Sequence, residues 1–71
     1  MLANEIKEEL VKMTEHLKER RLTGKDIDSM LQSEFGMGLR KALKTRGDLL
    51  ELGILSRQRI GRKISSYEVV L

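Results

Sequence analysis

The chain has 71 residues, no cysteine and a net charge of +3. A chain of this length forms one small domain, which argues against a large buried catalytic pocket, and without cysteines neither a disulfide nor a thiolate metal site can stabilise it. Its start lacks the basic region and apolar core of a signal peptide, and no window approaches the roughly 20 apolar residues of a membrane span. We therefore expect a cytoplasmic protein that makes no membrane contact.

The positive charge is concentrated in one part of the chain. Residues 36–63 contain eight Lys or Arg residues and two acidic residues, a net charge of +6. Residues 1–36 contain six basic and eight acidic residues, and the last eight residues contain a single acidic residue. A positive charge that is local in this way is typical of a phosphate-binding surface.

Residues 4–21 are predicted to form the first helix. Apolar residues recur there at spacings of three and four, which places a stripe along one side of a helix. The stripe consists of Leu2, Ile6, Leu10, Met13 and Leu17. It also resembles a heptad seam that could pair with a second copy, but a domain this small needs its apolar faces for its own core, and we expect the stripe to pack there.

Residues 24–35 are predicted to form the second helix. Thr23 and Asp26 have the spacing of a capping box at its start. Gly36 can adopt the left-handed conformation that ends a helix. The predicted inner face contains Ile27, Met30, Leu31 and Phe35.

Residues 38–52 are predicted to form the third helix. On a helical wheel its apolar side contains Leu39, Ala42, Leu43, Leu49 and Leu50, and its opposite side contains Lys41, Lys44, Thr45 and Asp48, with Arg40 on a flank. Arg46 falls inside the apolar arc, next to Gly47, which weakens a helix by roughly 1 kcal/mol relative to Ala. Either Arg46 lies along the edge of the core by its methylene groups, or the helix breaks at these two residues and Asp48 caps a last short piece.

A β-hairpin is predicted over residues 54–70, because β-branched residues and alternation become frequent after Gly53. Its turn is expected near Gly61. For a two-residue turn there, the predicted core face contains Ile54, Tyr67 and Val69, and the opposite face contains Arg57 and Arg59. A turn of odd length would reverse this pairing.

Three helices, a short glycine-containing turn at residues 36–38 and a ribbon after Gly53 resemble the winged helix-turn-helix family over nearly the whole chain. The resemblance implies a single domain that is mostly α-helical and ends in a β-hairpin, the wing. In that family an alanine-leucine pair usually precedes the exit glycine. Counted back from Gly53, Thr45 and Arg46 stand in the place of that pair, although an alanine-leucine pair at residues 42–43 lies one turn earlier.

The resemblance implies a sequence-specific binder of double-stranded DNA, used as a transcriptional regulator. In that family the third helix typically enters the major groove, and the wing touches the adjacent backbone or minor groove. The expected DNA-binding residues are Arg40, Lys41, Lys44 and Thr45 on the helix and Arg57, Arg59, Arg62 and Lys63 on the wing. Because one small domain makes a small interface, we expect a homodimer or a cooperative partner, joined through the first helix or through residues 67–71.

Two other functions are compatible with the sequence. The basic surface could instead meet an acidic protein, as in an accessory subunit or a phage-type antagonist, or it could bind duplex DNA or RNA without a preferred site. Phe35 and Tyr67 are the only aromatic residues, too few for a surface that stacks single-stranded bases. We expect no enzyme, cofactor, metal or small-molecule ligand, since His16 is the only histidine and the acidic pairs lie at helix N-termini.

Overall fold

A computed structural model describes the backbone of residues 2–60 and 63–70 and the side chains of residues 2–59 and 66–70. The helices are α1 (Ala3–Thr14), α2 (Gly24–Phe35) and α3 (Leu39–Glu51), and the strands are β1 (Arg21–Leu22), β2 (Leu55–Ile60) and β3 (Lys63–Val69). The strands form one antiparallel sheet in the order β1-β3-β2. This is the layout of a winged helix, so the predicted fold, mostly α-helical with a C-terminal hairpin, is confirmed.

The hydrophobic core takes residues from all six elements. Its buried apolar side chains are Ile6, Leu10, Leu22, Ile27, Met30, Leu31, Ala42, Leu49, Leu55, Tyr67 and Val69. Each element supplies only one to three of them, so no helix or strand can be removed without opening the core. Burial of a large apolar side chain is worth about 1.5–3 kcal/mol, and a domain this small has few of them to lose.

Helix α1 is shorter than predicted. It ends at Thr14, whose hydroxyl donates a hydrogen bond to the carbonyl of Leu10 at 2.9 Å, whereas the prediction extended it to residue 21. The chain leaves the helix because β1 pairs with β3, which places Leu22 in the core opposite Tyr67. Leu17, predicted to lie on the buried stripe, is consequently 44% exposed.

The central part of the predicted stripe packs on its own domain, whereas Leu2, which precedes α1, is 54% exposed, so its predicted burial is wrong. Ile6 and Leu10 are both 0% exposed, and Met13 packs partly buried against the same cluster. The predicted packing of the stripe inside the domain is therefore confirmed for these residues. Ile6 and Leu10 are not available to pair with a second copy.

The predicted limits of α2 are confirmed together with the interactions that set them. The backbone N–H of Asp26 donates to Thr23 Oγ1 at 3.1 Å, and the backbone N–H of Thr23 donates to Asp26 Oδ2 at 3.3 Å, which forms the capping box. Gly36 ends the helix with a φ of 64° in the left-handed region. The three-residue turn that follows sets the start of α3.

Helix α3 is continuous through Arg46 and Gly47, so a break at these residues is wrong and the alternative, with Arg46 at the edge of the core, is confirmed. Arg46 Nη1 donates to Asp28 Oδ2 of α2 at 2.9 Å, and its guanidinium carbon lies 5.2 Å from the ring centroid of Tyr67 in β3. The two charged side chains are only 22% and 14% exposed. This shielded charge-assisted bond connects α3 to α2, and the cation–π contact of the same side chain connects α3 to β3.

The buried side of α3 differs from the predicted one. Ala42, Thr45 and Leu49 are buried, whereas Leu39 and Leu43 are 57% and 43% exposed. The helix is thus rotated about its axis relative to the prediction. Burying a guanidinium among apolar side chains is costly unless an acidic group meets it, and this rotation brings Arg46 within 2.9 Å of the carboxylate of Asp28 in α2.

A bulge changes the register of the wing. Ile60 pairs with Lys63, as expected for a two-residue connection, but the register shifts between Gln58 and Arg59. Gln58 pairs with residue 66 and Arg59 with residue 64, so β3 contains one extra residue at position 65. Such an insertion moves all later pairs by one residue.

The bulge reverses the predicted faces of the hairpin. Leu55, not Ile54, lies opposite Val69, and Arg57 lies opposite Tyr67. Because a one-residue shift exchanges the two faces of a strand, the prediction that Ile54 shares the core face and that Arg57 lies on the other is wrong. Arg57 therefore lies on the same face of β2 as the buried Leu55, two residues closer to the turn.

We predict that Asp28 and Arg46 stabilise the domain as a pair. Each of Asp28→Asn and Arg46→Met should lower the free energy of unfolding by about 2 kcal/mol, because each leaves a partly buried polar group without its charged partner. The double variant should lose less than the sum of the two, which urea denaturation of all four proteins measures as a coupling of about 1–2 kcal/mol. Strictly additive losses would contradict the pairing.

We predict that Gly47→Ala raises the stability of the domain. Gly47 is exposed in the middle of α3, and no atom lies within 4 Å of the position that a Cβ would take. Alanine should add about 1 kcal/mol and raise Tm by about 4–8 °C in thermal unfolding followed by circular dichroism. The matched control is Gly24→Ala, where a Cβ would collide with Arg46 Nη1, and Tm should fall. A lower Tm for Gly47→Ala would contradict the open space around it.

Candidate nucleic-acid interface

The exposed side of α3 contains three cations in its N-terminal half. Arg40, Lys41 and Lys44 are all exposed, while the opposite side of the helix packs on the core. Arg40 and Lys44 lie one turn apart along the centre of the exposed side, and Lys41 lies toward its α2 flank. The predicted outward orientation of these three residues is confirmed, and their contact with DNA stays a prediction.

Thr45 does not belong to this surface. It was predicted to face outward and to contact a base, but it is only 4% exposed, so that orientation is wrong. The sequence contained one indication of this: counted back from Gly53, Thr45 and Arg46 take the places of the alanine-leucine pair that is typical of winged helices. That count places Thr45 correctly, whereas the helical wheel is right for Ala42 and Leu49 and wrong for Thr45, Leu39 and Leu43.

A groove of about 610 Å³ runs along the α2 flank of α3. Its polar lining consists of Arg40, Lys41, Lys44, Thr45 and Asp48, and its apolar lining consists of Leu2, Phe35 and Met37. The three cations of the helix therefore border one continuous depression. The C-terminal end of α2 forms its opposite wall.

A second groove, of about 580 Å³, separates α3 from the wing. Gly47, Leu50 and Glu51 line it from α3, and Leu55, Ser56 and Arg57 line it from β2 and the residues around it. Arg57 thus points toward the helix, because it follows the buried Leu55 by two residues on the same face of β2. Helix α3 forms a ridge with cations in the depressions on both of its sides.

The wing contributes two exposed cations among the residues described. Arg57 and Arg59 are both exposed on β2. Of the other two predicted wing contacts, Arg62 lies outside the described residues, and only the backbone of Lys63, in β3, is described. Both remain predictions.

The charges of this surface are not used by the fold. Among the side chains of residues 2–59 and 66–70, the ion pairs are Arg21–Glu19 and Arg46–Asp28, and none involves the five exposed cations on α3 and β2. A cation without an internal partner remains available to an external anion. The acidic residues of this region, Asp48 and Glu51, lie in the C-terminal half of α3, and each lines one of the two grooves.

Sequence reasoning missed two residues of the surface. Leu39 and Leu43 were predicted to lie in the core, but they lie exposed beside the cations of α3. They share a side of the helix with Gly47, which lines the wing groove. The exposed surface of α3 is therefore amphipathic.

The part of the chain that the structure describes forms neither a metal site nor a membrane span. No group of three or more His, Cys, Asp or Glu side chains there has an arrangement that could hold a metal ion. None of the helices in that part is long and apolar enough to cross a membrane.

No protein-family model matches the chain, and no curated protein and no solved structure matches it significantly. The function must therefore be inferred from the charge and shape of the surface.

We predict that Lys44→Gln and Thr45→Gln, the same replacement at neighbouring positions, differ sharply in stability. Lys44 is exposed and has no internal partner, so its replacement should change the free energy of unfolding by less than about 0.5 kcal/mol. Thr45 is buried, so a longer polar side chain there should cost about 2 kcal/mol through overpacking and an unpaired amide. Urea denaturation of the two variants tests this, and equal stability would contradict the observed rotation of α3.

Proposed function

We propose that the protein binds double-stranded DNA at specific sequences and acts as a small transcriptional regulator in the cytoplasm. The observation that supports this most strongly is the clustering of five exposed cations, without internal ion-pair partners in the described part of the chain, on α3 and the adjacent strand β2. Lysine and arginine surfaces of this kind attract the phosphate backbone of nucleic acids.

The shape of the surface favours duplex DNA. The major groove of B-DNA, about 12 Å wide, admits one α-helix, and α3 stands out as a ridge between two depressions. The N-terminal half of such a helix is the part that reaches base edges. We propose that Arg40 and Lys44 contact bases. Lys41, which lies toward the α2 flank of the helix, is proposed to contact a phosphate or a base.

The wing is proposed to hold the adjacent backbone. Arg57 faces α3 across the wing groove and Arg59 lies two residues further along β2, so both lie where a strand beside the inserted helix would pass. Phosphate contacts of this type fix the position of the protein without reading sequence. Arg62 and Lys63 would extend the same contact, and one of these side chains could enter the minor groove.

Two copies on neighbouring half-sites would give the small domain enough specificity. Both elements predicted to make the dimer contact use their apolar residues inside the domain. Ile6 and Leu10 of α1 are fully buried, and Tyr67 and Val69 belong to β3, which pairs with β1 on one side and β2 on the other. We therefore propose that the DNA site itself brings two copies together, with no preformed helical seam.

A second candidate function is binding to an acidic protein. Leu39 and Leu43, exposed next to Arg40 and Lys44, would suit an acidic segment that also has apolar residues. This function and DNA binding make opposite predictions for a purified protein mixed with duplex DNA. Binding to DNA with a strong salt dependence favours the first, and its absence favours the second.

We predict that affinity for duplex DNA falls steeply with salt and that the wing contributes to the slope. Arg57→Ala and Arg59→Ala should each lower the slope of log K against log salt concentration by about one, because each removes one phosphate contact. Fluorescence anisotropy of a labelled duplex, titrated at several salt concentrations, measures the slope. The control is Lys12→Ala, an exposed cation on α1, which should leave the slope unchanged. Equal slopes for all three variants would exclude the wing from the interface.

A further inference from the structure

Two leucines are exposed next to each other in the N-terminal half of α3. Leu39 is 57% exposed and Leu43 is 43% exposed, although other leucines of the same helix face inward. They lie one turn apart on one side of the helix, adjacent to Arg40 and Lys44. The fold leaves about half of each side chain exposed, so this apolar surface is available to a partner.

The leucines lie between two sets of cations. Together with Gly47 they form a row at spacings of four residues, and Gly47, at the C-terminal end of the row, lines the wing groove. Arg40 and Lys44 lie beside the row on the helix, and Arg57 lies across the groove from Gly47. A polyanion that contacts both sets of cations passes next to the row.

In duplex DNA, the surface between two phosphate backbones is the floor of a groove. The major-groove floor presents hydrogen-bonding groups at every base and one apolar group, the C5 methyl of thymine. A leucine placed against a hydrogen-bonding edge would leave that group unpaired, whereas a leucine placed against the methyl buries apolar surface on both partners. The same side chain thus attracts one base and disfavours the others.

We propose that Leu39 and Leu43 read thymine through its C5 methyl group in the major groove, which makes them specificity-determining residues. This inference rests on the proposed DNA-binding function. The two residues are about 6 Å apart along the helix axis at 1.5 Å per residue. Base pairs follow one another at about 3.4 Å, so the two methyl groups lie within about two base-pair steps of each other.

The test begins with selection of duplexes from a random pool by the purified full chain, followed by sequencing of those retained. The recurrent motif should contain thymine at one or two close positions. Each thymine of the motif is then replaced by deoxyuridine, which pairs identically and lacks only the methyl group. At a contacted position the wild-type affinity should fall roughly fourfold, the factor expected for the burial of one methyl group.

The variants Leu39→Ala and Leu43→Ala assign each methyl group to its leucine. Each variant should bind the thymine duplex more weakly and should no longer distinguish thymine from deoxyuridine at its own position. The matched control is Leu52→Ala, which removes a leucine that is 58% exposed at the C-terminal end of α3 and should keep the full response to deoxyuridine. Because all three leucines are exposed, circular dichroism should show the same fold in every variant.

The outcomes separate this inference from the function on which it rests. The inference would be overturned if every thymine of the motif could be replaced by deoxyuridine without loss of affinity, or if the leucine variants kept the wild-type response to deoxyuridine. Either result would leave sequence-specific DNA binding in place. Retention of DNA without any motif would overturn both the inference and sequence specificity. No retention of duplex DNA would refute the proposed function itself.

Discussion

The ion pair between Arg46 and Asp28 determines which side of α3 faces solvent. The guanidinium has to remain both within hydrogen-bonding distance of α2 and over the ring of Tyr67, so α3 cannot turn to bury Leu39 and Leu43. The same constraint places Thr45 inside and leaves the cations of the helix outside. An interaction in the interior of the domain therefore selects the residues that can meet a partner.

The parts of the fold that sequence could predict are those fixed by interactions between near neighbours. The capping box of Thr23 and Asp26 and the left-handed Gly36 each involve a few consecutive residues, and the limits of α2 follow from them. The end of α1 depends instead on Leu22 meeting Tyr67, far away in the sequence. No local pattern contains that contact, so helical periodicity extended α1 too far.

The candidate site shows the same division between local interactions, which sequence can predict, and long-range packing, which it cannot. The exposure of Arg40, Lys41 and Lys44 could be predicted, because an unpaired charge is costly to bury and the three residues lie on nearby positions of the helix. The burial of Thr45 could not be predicted from its residue type, since the methyl group of threonine suits a core and its hydroxyl suits a surface. Leucine at 39 and 43 was assigned to the core by its hydrophobicity alone, and only the tertiary packing of the helix shows otherwise.

The bulge in β3 allows the wing to change length without turning Arg57 away from α3. Deletion of its one extra residue, at position 65, would restore a regular ladder and leave Arg57 opposite Tyr67, because every other pair keeps its partner. The orientation of Arg57 is set at the base of the wing, where Leu55 is buried on the same face of β2. The wing beyond that base can therefore be lengthened or shortened while this cation continues to face the helix.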